Sequence, residues 1–283
     1  MAEKRRLTFC KMHGCGNDYI YFEAMGREFE DPAGVSIRLS DRHKGIGGDG
    51  VVLIKDSAVA DARMRMFNAD GSEGKMCGNA IRCVGKYLYD RGIVPKTDMT
   101  IETLSGIKKL HLFVENGSVQ AVTVDMGKAE LRPAHIPVRM PGERAIAVPL
   151  PVGDKAYTIT CVSIGNPHCV VFGDDPDGLE LEKIGPLFEN HAAFPERINT
   201  EFIQVLDRRT LKMRVWERGS GETWACGTGA CAACVAAVEN GFCDKNEEVT
   251  VHLRGGDLVI RYTDDAVYMT GSATMVFEGT VEL

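Results

Sequence analysis

Met76-Cys77-Gly78-Asn79 and Ala225-Cys226-Gly227-Thr228 each set a cysteine directly before a glycine, at a point where a polar turn runs into a helix-forming stretch. The two segments lie 149 residues apart, and the same offset carries Gly16 onto Gly165, Asn17 onto Asn166, Met64 onto Met213, Arg65 onto Arg214, Glu73 onto Glu222 and Gly78 onto Gly227. In both halves the asparagine precedes the cysteine by 60 residues. Identities scattered at one offset mark a duplicated unit, and 283 residues leave room for two of them.

Working outward from Cys77, residues Ala62 to Phe67 alternate apolar and polar as a strand does, and Asn68 to Ser72 form a turn. A helix follows, with Ile81, Val84 and Leu88 at i, i+3 and i+7 and Gly92 placed to cap its C-terminus. Leu110 to Val114 and Val119 to Val124 flank Asn116-Gly117, a strong hairpin signal. Prolines 133, 137, 141, 149 and 151 then mark irregular or edge-strand structure and a boundary between the units. Working outward from Cys226, Leu211 to Trp216 is the corresponding strand, Glu217 to Glu222 the turn, and Ala230 to Val238 the helix, ending near Asn240-Gly241. This places the first unit at 1–126 and the second at 127–269.

The composition, 44% hydrophobic and 26% charged, is that of a globular protein. A net charge of −7 argues against a surface for nucleic acid and for a small-molecule partner. No apolar run has the length of a signal peptide or a membrane span, so the expected location is the cytoplasm and the ten cysteines are expected as reduced thiols. Cys226, Cys231 and Cys234 have the C-x4-C-x2-C spacing of an iron–sulfur ferredoxin. Their setting, Gly-Ala-Cys-Ala-Ala-Cys-Val-Ala-Ala-Val, is alanine-rich and places Cys231 and Cys234 one turn apart on a buried helix face instead. His13, His43, His111, His135, His191 and His252 show no metal-ligand spacing. Gly45 to Gly50 fits G-x-G-x-x-G, but it enters the apolar run Val51 to Ile54 and not a helix, which argues against a dinucleotide site.

A cysteine at a helix N-terminus is biased toward thiolate by unpaired backbone N–H groups and a partial positive charge, and the same amides can receive an anion. Two such ends could hold a carboxylate and bring one thiol to each face of the adjacent carbon, one removing a proton and the other returning it. The alternative, a pair of small packed cysteines copied by duplication, is disfavoured by polar company: Asn-Ala-Asp-Gly-Ser precedes Cys77, and Glu-Arg-Gly-Ser-Gly-Glu-Thr precedes Cys226.

At these residues the chain resembles the diaminopimelate epimerase family, pyridoxal-independent enzymes that interconvert L,L- and meso-diaminopimelate. Its motifs are Lys11 to Tyr19, Phe67 to Ser72, Cys77-Gly78-Asn79, Gly165 to Cys169, Phe194 to Asn199, and Glu217 through Ala230. The resemblance implies an α+β fold of two pseudo-symmetric units, each a curved, mostly antiparallel sheet wrapped around a central helix, with the active site in the cleft between them and residues 270–283 returning to the first unit. It implies that Cys77 and Cys226 are the acid/base pair, with His168 and Glu217 tuning their protonation. The amides of Gly78, Asn79, Gly227 and Thr228 would receive the reacting carboxylate, and Asn17, Asn68, Asn166, Asn199, Glu217 and Arg218 the distal end of the substrate. No cofactor and no metal are implied, and the family tends to form homodimers. Gly50 stands where many members have a glutamine. The competing readings are a racemase of another amino acid, such as histidine or proline, using the same thiols, and an iron–sulfur or metal-binding protein. Asn68, Asn199 and Arg218 favour diaminopimelate over the first.

Overall fold

The helices repeat at the offset that relates the cysteines. Among the described residues, 6–283, α1 (Pro32–Ser40) matches α3 (Leu181–Glu189) and α2 (Gly78–Asp90) matches α4 (Gly227–Glu239), each pair 149 residues apart. In a computed structural model the chain divides into two compact units, residues 6–124 with 271–283, and residues 125–270.

The first unit carries β1 (Arg6–Gly14), β2 (Asn17–Glu23), β3 (Gly50–Lys55), β4 (Ala62–Asn68), β5 (Glu73–Gly74), β6 (Asp98–Thr103), β7 (Gly106–Glu115) and β8 (Ser118–Gly127). The second carries β9 (Val148–Val152), β10 (Lys155–Ser163), β11 (Pro167–Phe172), β12 (Asn199–Asp207), β13 (Thr210–Glu217), β14 (Gly221–Thr223), β15 (Glu248–Leu253), β16 (Gly256–Tyr262) and β17 (Val267–Ser272). The last strand, β18 (Thr274–Glu282), pairs antiparallel with β1 from Arg6↔Glu282 to His13↔Thr274. Within each unit the strands pair mostly antiparallel, and the pattern breaks at the same two places. β2 pairs parallel with β3 as β11 does with β12, and β4 pairs parallel with β6 as β13 does with β15.

Residues on alternate sides of the strands separate the two helix layers. Ile20, Phe22, Val51, Leu53 and Phe67 form one buried face with Val35 and Leu39 of α1. Cys161, Cys169, Val171 and Phe202 do the same with Leu181 and Phe188 of α3. The other helix of each unit is the central one. α2 buries Ile81, Val84 and Leu88 completely, each worth about 1.5–3 kcal/mol of apolar transfer. α4 is apolar all round, from Ala230 to Ala237, as a helix enclosed on every side must be.

Arg82 is fully buried within α2. Its guanidinium donates to Ser272 O at 3.1 Å, Gly78 O at 3.1 Å and Asn79 Oδ1 at 2.9 Å, so the charge is hydrogen-bonded in several directions and ties the chain's return to the central helix.

Two details differ from the sequence reading. α4 begins at Gly227 and not at Ala230, because the cap at Cys226 and burial of the first turn override the weak propensity of Gly-Thr-Gly. α1 carries only weak apolar periodicity, whereas α3 repeats Leu181, Ile184 and Phe188 at i, i+3 and i+7 but contains Pro186, which argues locally against a helix. The proline-rich stretch includes the strand β9, whose Pro149 and Pro151 sit where pairing is to β10.

Candidate active site

Cys77 is the N-cap of α2, with extended backbone (φ −135°, ψ 121°), and its sulfur accepts from Ala80 N at 3.5 Å. Its thiol donates to Asn17 Oδ1, with sulfur and oxygen 3.4 Å apart, and the same oxygen accepts from Asn79 Nδ2 at 3.3 Å. The other end of the Asn17 amide donates to Asp49 Oδ2 at 2.6 Å. Arg82, Asn79, Asn17 and Asp49 therefore form a relay with a guanidinium at one end and a carboxylate at the other. Arginine only donates and carboxylate only accepts, so both amides have one permitted orientation, and Cys77 faces a carbonyl. Burial and the neighbouring Asp18 hold the Asp49 carboxyl above its usual range, against the bonds it accepts. Asn68, at the end of β4, donates to Ser72 Oγ at 2.9 Å and shows no bond to the Cys77 cluster.

Cys226 is the N-cap of α4 (φ −120°, ψ 107°), with Thr228 Oγ1 3.6 Å from its sulfur. The thiol is buried and lies within electrostatic reach of the Glu217 carboxyl at the end of β13, to which Thr223 Oγ1 donates. Burial, then the carboxylates of Glu217 and Glu201, push the thiol well up, while Thr228 and the Gly229 N–H act against them. The expected thiolate bias at this helix end is overridden: desolvation and adjacent carboxylates outweigh the amides. Burial also raises the Glu217 carboxyl. His168, at the start of β11, is fully buried, with Nδ1 2.7 Å from Glu201 Oε1 and Nε2 3.0 Å from Asn166 Oδ1.

The remaining residues build a loop. Asn199, paired with His168 across β11 and β12, accepts from Arg218 N at 2.8 Å, and Arg218 Nη1 donates to Glu196 O at 2.9 Å. Glu189 of α3 anchors the loop, accepting from Trp216 Nε1 at 2.7 Å and Gly219 N at 2.9 Å. Gly50 has a steric reason. A Cβ there would stand 2.0 Å from Phe67 O and 2.8 Å from Tyr19 Cε1, so this backbone admits no side chain.

The structure thus groups Asn17, Cys77 and Asn79 in the first unit. In the second it groups Cys226, Glu217 and Thr228, Asn166 with His168, and Asn199 with Arg218. Sequence reading missed Asp49 and Glu201, whose partners Asn17 and His168 lie 32 and 33 residues away, and Thr223, which reaches the cluster through Glu217 across a tight turn. Cys231 and Cys234 lie fully buried in α4, where their spacing is helix periodicity.

Solved structures share this fold. A hydroxyproline epimerase from Agrobacterium vitis with bound trans-4-hydroxy-L-proline matches with TM-score 0.70 at 15% identity, over 100% of this chain and 93% of that one. A PhzF-family phenazine biosynthesis protein of Bacillus anthracis matches with TM-score 0.70 at 18% identity, over 98% and 99% of the two chains. The fold class is the two-unit α+β architecture of these proteins. Sequence narrows it: residues 9–132 and 160–276 match the family model for diaminopimelate epimerase. The diaminopimelate epimerases of Agathobacter rectalis and Acetivibrio thermocellus are each 54% identical to this chain over 98% of its length, covering 100% and 99% of their own. That of Methanococcus maripaludis is 52% identical over 98% of this chain and 100% of its own. The chain belongs to the diaminopimelate epimerase family.

Proposed function

We propose that this chain interconverts L,L- and meso-diaminopimelate by a two-base thiol mechanism, without a cofactor. The observation that carries the reading is the duplicated helix N-cap cysteine, Cys77 and Cys226, each with its own proton-handling neighbours, in a chain of this family. Inversion needs one proton carrier for each face of the α-carbon, and each unit supplies one. One sulfur, as thiolate, takes the α-proton; the electron pair stays on carbon, delocalised into the carboxylate; the other sulfur, as thiol, delivers its proton to the opposite face. Cys226 rests as a thiol, and Glu217, itself shifted toward the protonated form, exchanges that proton when a thiolate is needed.

The backbone amides of Gly78, Asn79, Gly227 and Thr228, in the first turns of α2 and α4, receive the α-carboxylate and stabilise the charge that develops on it. That stabilisation is essential because an amino-acid α-proton is far less acidic than a thiol, and one well-aimed donor is commonly worth ~100-fold in rate. Asn17, Asn68, Asn166, Asn199 and Arg218 serve the distal amino-acid end, Arg218 by a charge-assisted bond to its carboxylate. The product supplies lysine and peptidoglycan synthesis. On the family resemblance the enzyme works as a cytoplasmic homodimer, which sedimentation equilibrium would test.

The decisive experiment is incubation with L,L-diaminopimelate in heavy water. Meso product carrying deuterium at the inverted carbon is expected from the unaltered enzyme, and none from Cys77→Ala or Cys226→Ala. Near-normal turnover by either variant would refute the two-base assignment.

A further inference from the structure

A second carboxylate lies behind the Cys226 cluster, and none of the chemistry above uses it. Glu201, on β12, is fully buried, as is His168, and its Oε1 sits 2.7 Å from His168 Nδ1. Its other oxygen has no hydrogen-bond partner among the described residues. A carboxylate only accepts, so Nδ1 carries the hydrogen. Gly229 makes the space for this carboxylate. A Cβ there would stand 2.7 Å from Glu201 Oε1 and 3.2 Å from Cys226 Sγ, which puts Glu201 against the first turn of the helix that Cys226 caps.

The duplicated unit is an internal control for what the fold requires. At the 149-residue offset His168 corresponds to Tyr19 and Glu201 to Val52. The registers agree: His168↔Asn199 and Val170↔Glu201 in one unit, Tyr19↔Gly50 and Tyr21↔Val52 in the other. Tyr19 and Val52 are also buried. An aromatic and an aliphatic side chain thus fill these places without a buried ionisable pair. A buried carboxylate with one oxygen unpartnered is destabilising relative to that apolar filling. Stability does not explain Glu201.

We propose that Glu201 is a positioning residue for the epimerase reaction, holding His168 as the Nδ1–H tautomer in a single ring orientation. With Nδ1–H committed to Glu201, Nε2 is left to handle the proton: charged, it donates to Asn166 Oδ1, the oxygen that stands 3.0 Å away, and neutral, it accepts from Asn166 Nδ2 once that amide turns over. The ring so held lies within electrostatic reach of the Glu217 carboxyl. The inference rests on the roles given to His168 and Cys226 above.

The test compares Glu201→Val, which imports the residue of the other unit, with Glu201→Gln, which keeps an accepting oxygen at the same reach. We expect Glu201→Val to lower kcat about 100-fold with KM within about threefold, the scale on which a histidine's orienting partner acts. Its melting temperature should be unchanged or higher. In 15N-histidine spectra the His168 signal, assigned with His168→Gln, should move from the Nδ1–H pattern toward a mixture. Glu201→Gln should keep the Nδ1–H pattern and recover at least about tenfold of the lost kcat. If Glu201→Val fails to fold, Glu201→Met, apolar and of similar reach, carries the same expectations. A kcat within threefold of the unaltered enzyme, or an unchanged His168 signal, in the apolar variant overturns the proposal. Full activity in His168→Gln would instead refute the role of His168 itself, while the spectra would still report whether Glu201 sets the tautomer.

Discussion

Replacing Asp49 by alanine cuts the relay that orients the amide beside Cys77. Asp49 accepts from Asn17 Nδ2 at 2.6 Å, a charge-assisted bond worth about 1.5–3 kcal/mol, and this is the main bias against the flipped amide. What remains is the Asn79 bond at 3.3 Å, long and neutral and worth at most about 1 kcal/mol. Removing roughly 2 kcal/mol of bias raises the flipped population about thirtyfold, since 1.4 kcal/mol is a factor of ten. In that orientation an N–H, not a carbonyl, faces the sulfur, favouring thiolate over thiol. Asp49→Ala should therefore be less active, with kcat down about tenfold, while Cys77 becomes several times more reactive toward iodoacetamide at constant pH. Asp49→Asn can still present an oxygen to Asn17 and should fall between. The assay pairs steady-state kinetics with mass-spectrometric alkylation rates of the Cys77 peptide. Unaltered alkylation of Cys77 together with kcat within twofold would refute the reasoning, and slower alkylation would reverse its sign.

Arg218→Leu should fold normally but lose most activity on diaminopimelate, through weaker binding of about 1.5–3 kcal/mol that a calorimetric titration would measure; normal affinity would remove Arg218 from the distal site. The Cys83 thiol is raised by burial from an ordinary 9.0 to about 11, so the unfolded chain releases this proton first. Its contribution is therefore complete below pH 9 and falls by about 3 kcal/mol as pH rises toward 11. Denaturant melts from pH 8 to 11 should show Cys83→Ala losing less stability over that range than the unaltered protein, and parallel curves would contradict the assignment.

Much of the architecture was legible because duplication writes the same element twice. The strands at Ala62 and Leu211 and the central helices all follow from alternation, i, i+3, i+7 spacing and one offset. The cysteines were legible for the same reason, since a cap has a local signature. α1 was not, its apolar positions being too weakly periodic, and in α3 the spacing of Leu181, Ile184 and Phe188 is masked by Pro186, which argues locally against the helix it sits in. The offset that found the cysteines would have paired them. Asp49 and Glu201 were hidden for a different reason. Their function lies in what a side chain touches across the sheet or from a neighbouring loop, and neither Gly-Gly-Asp-Gly nor Asn-Thr-Glu-Phe states its partner. The thiolate expectation for Cys226 failed because helix-end amides are visible in sequence, whereas the carboxylates opposing them are not.

The pairing of β18 with β1 bears on the order in which the chain matures on the ribosome. Residues 125–270 are contiguous, so that unit has all its residues once Thr270 leaves the exit tunnel. The first unit is made earlier yet must wait longer. Until residues 274–282 are released, β1 lacks the strand that runs beside it from Arg6 to His13, and Arg82 lacks the Ser272 carbonyl that receives its charge. The half translated first is thus the half completed last. During synthesis its central helix carries an arginine, buried in the finished fold, that has Gly78 O and Asn79 Oδ1 at hand but gains Ser272 O only when the chain has reached that residue. A nascent chain stalled before residue 272 would expose that defect in the first unit, far from the point where elongation stopped.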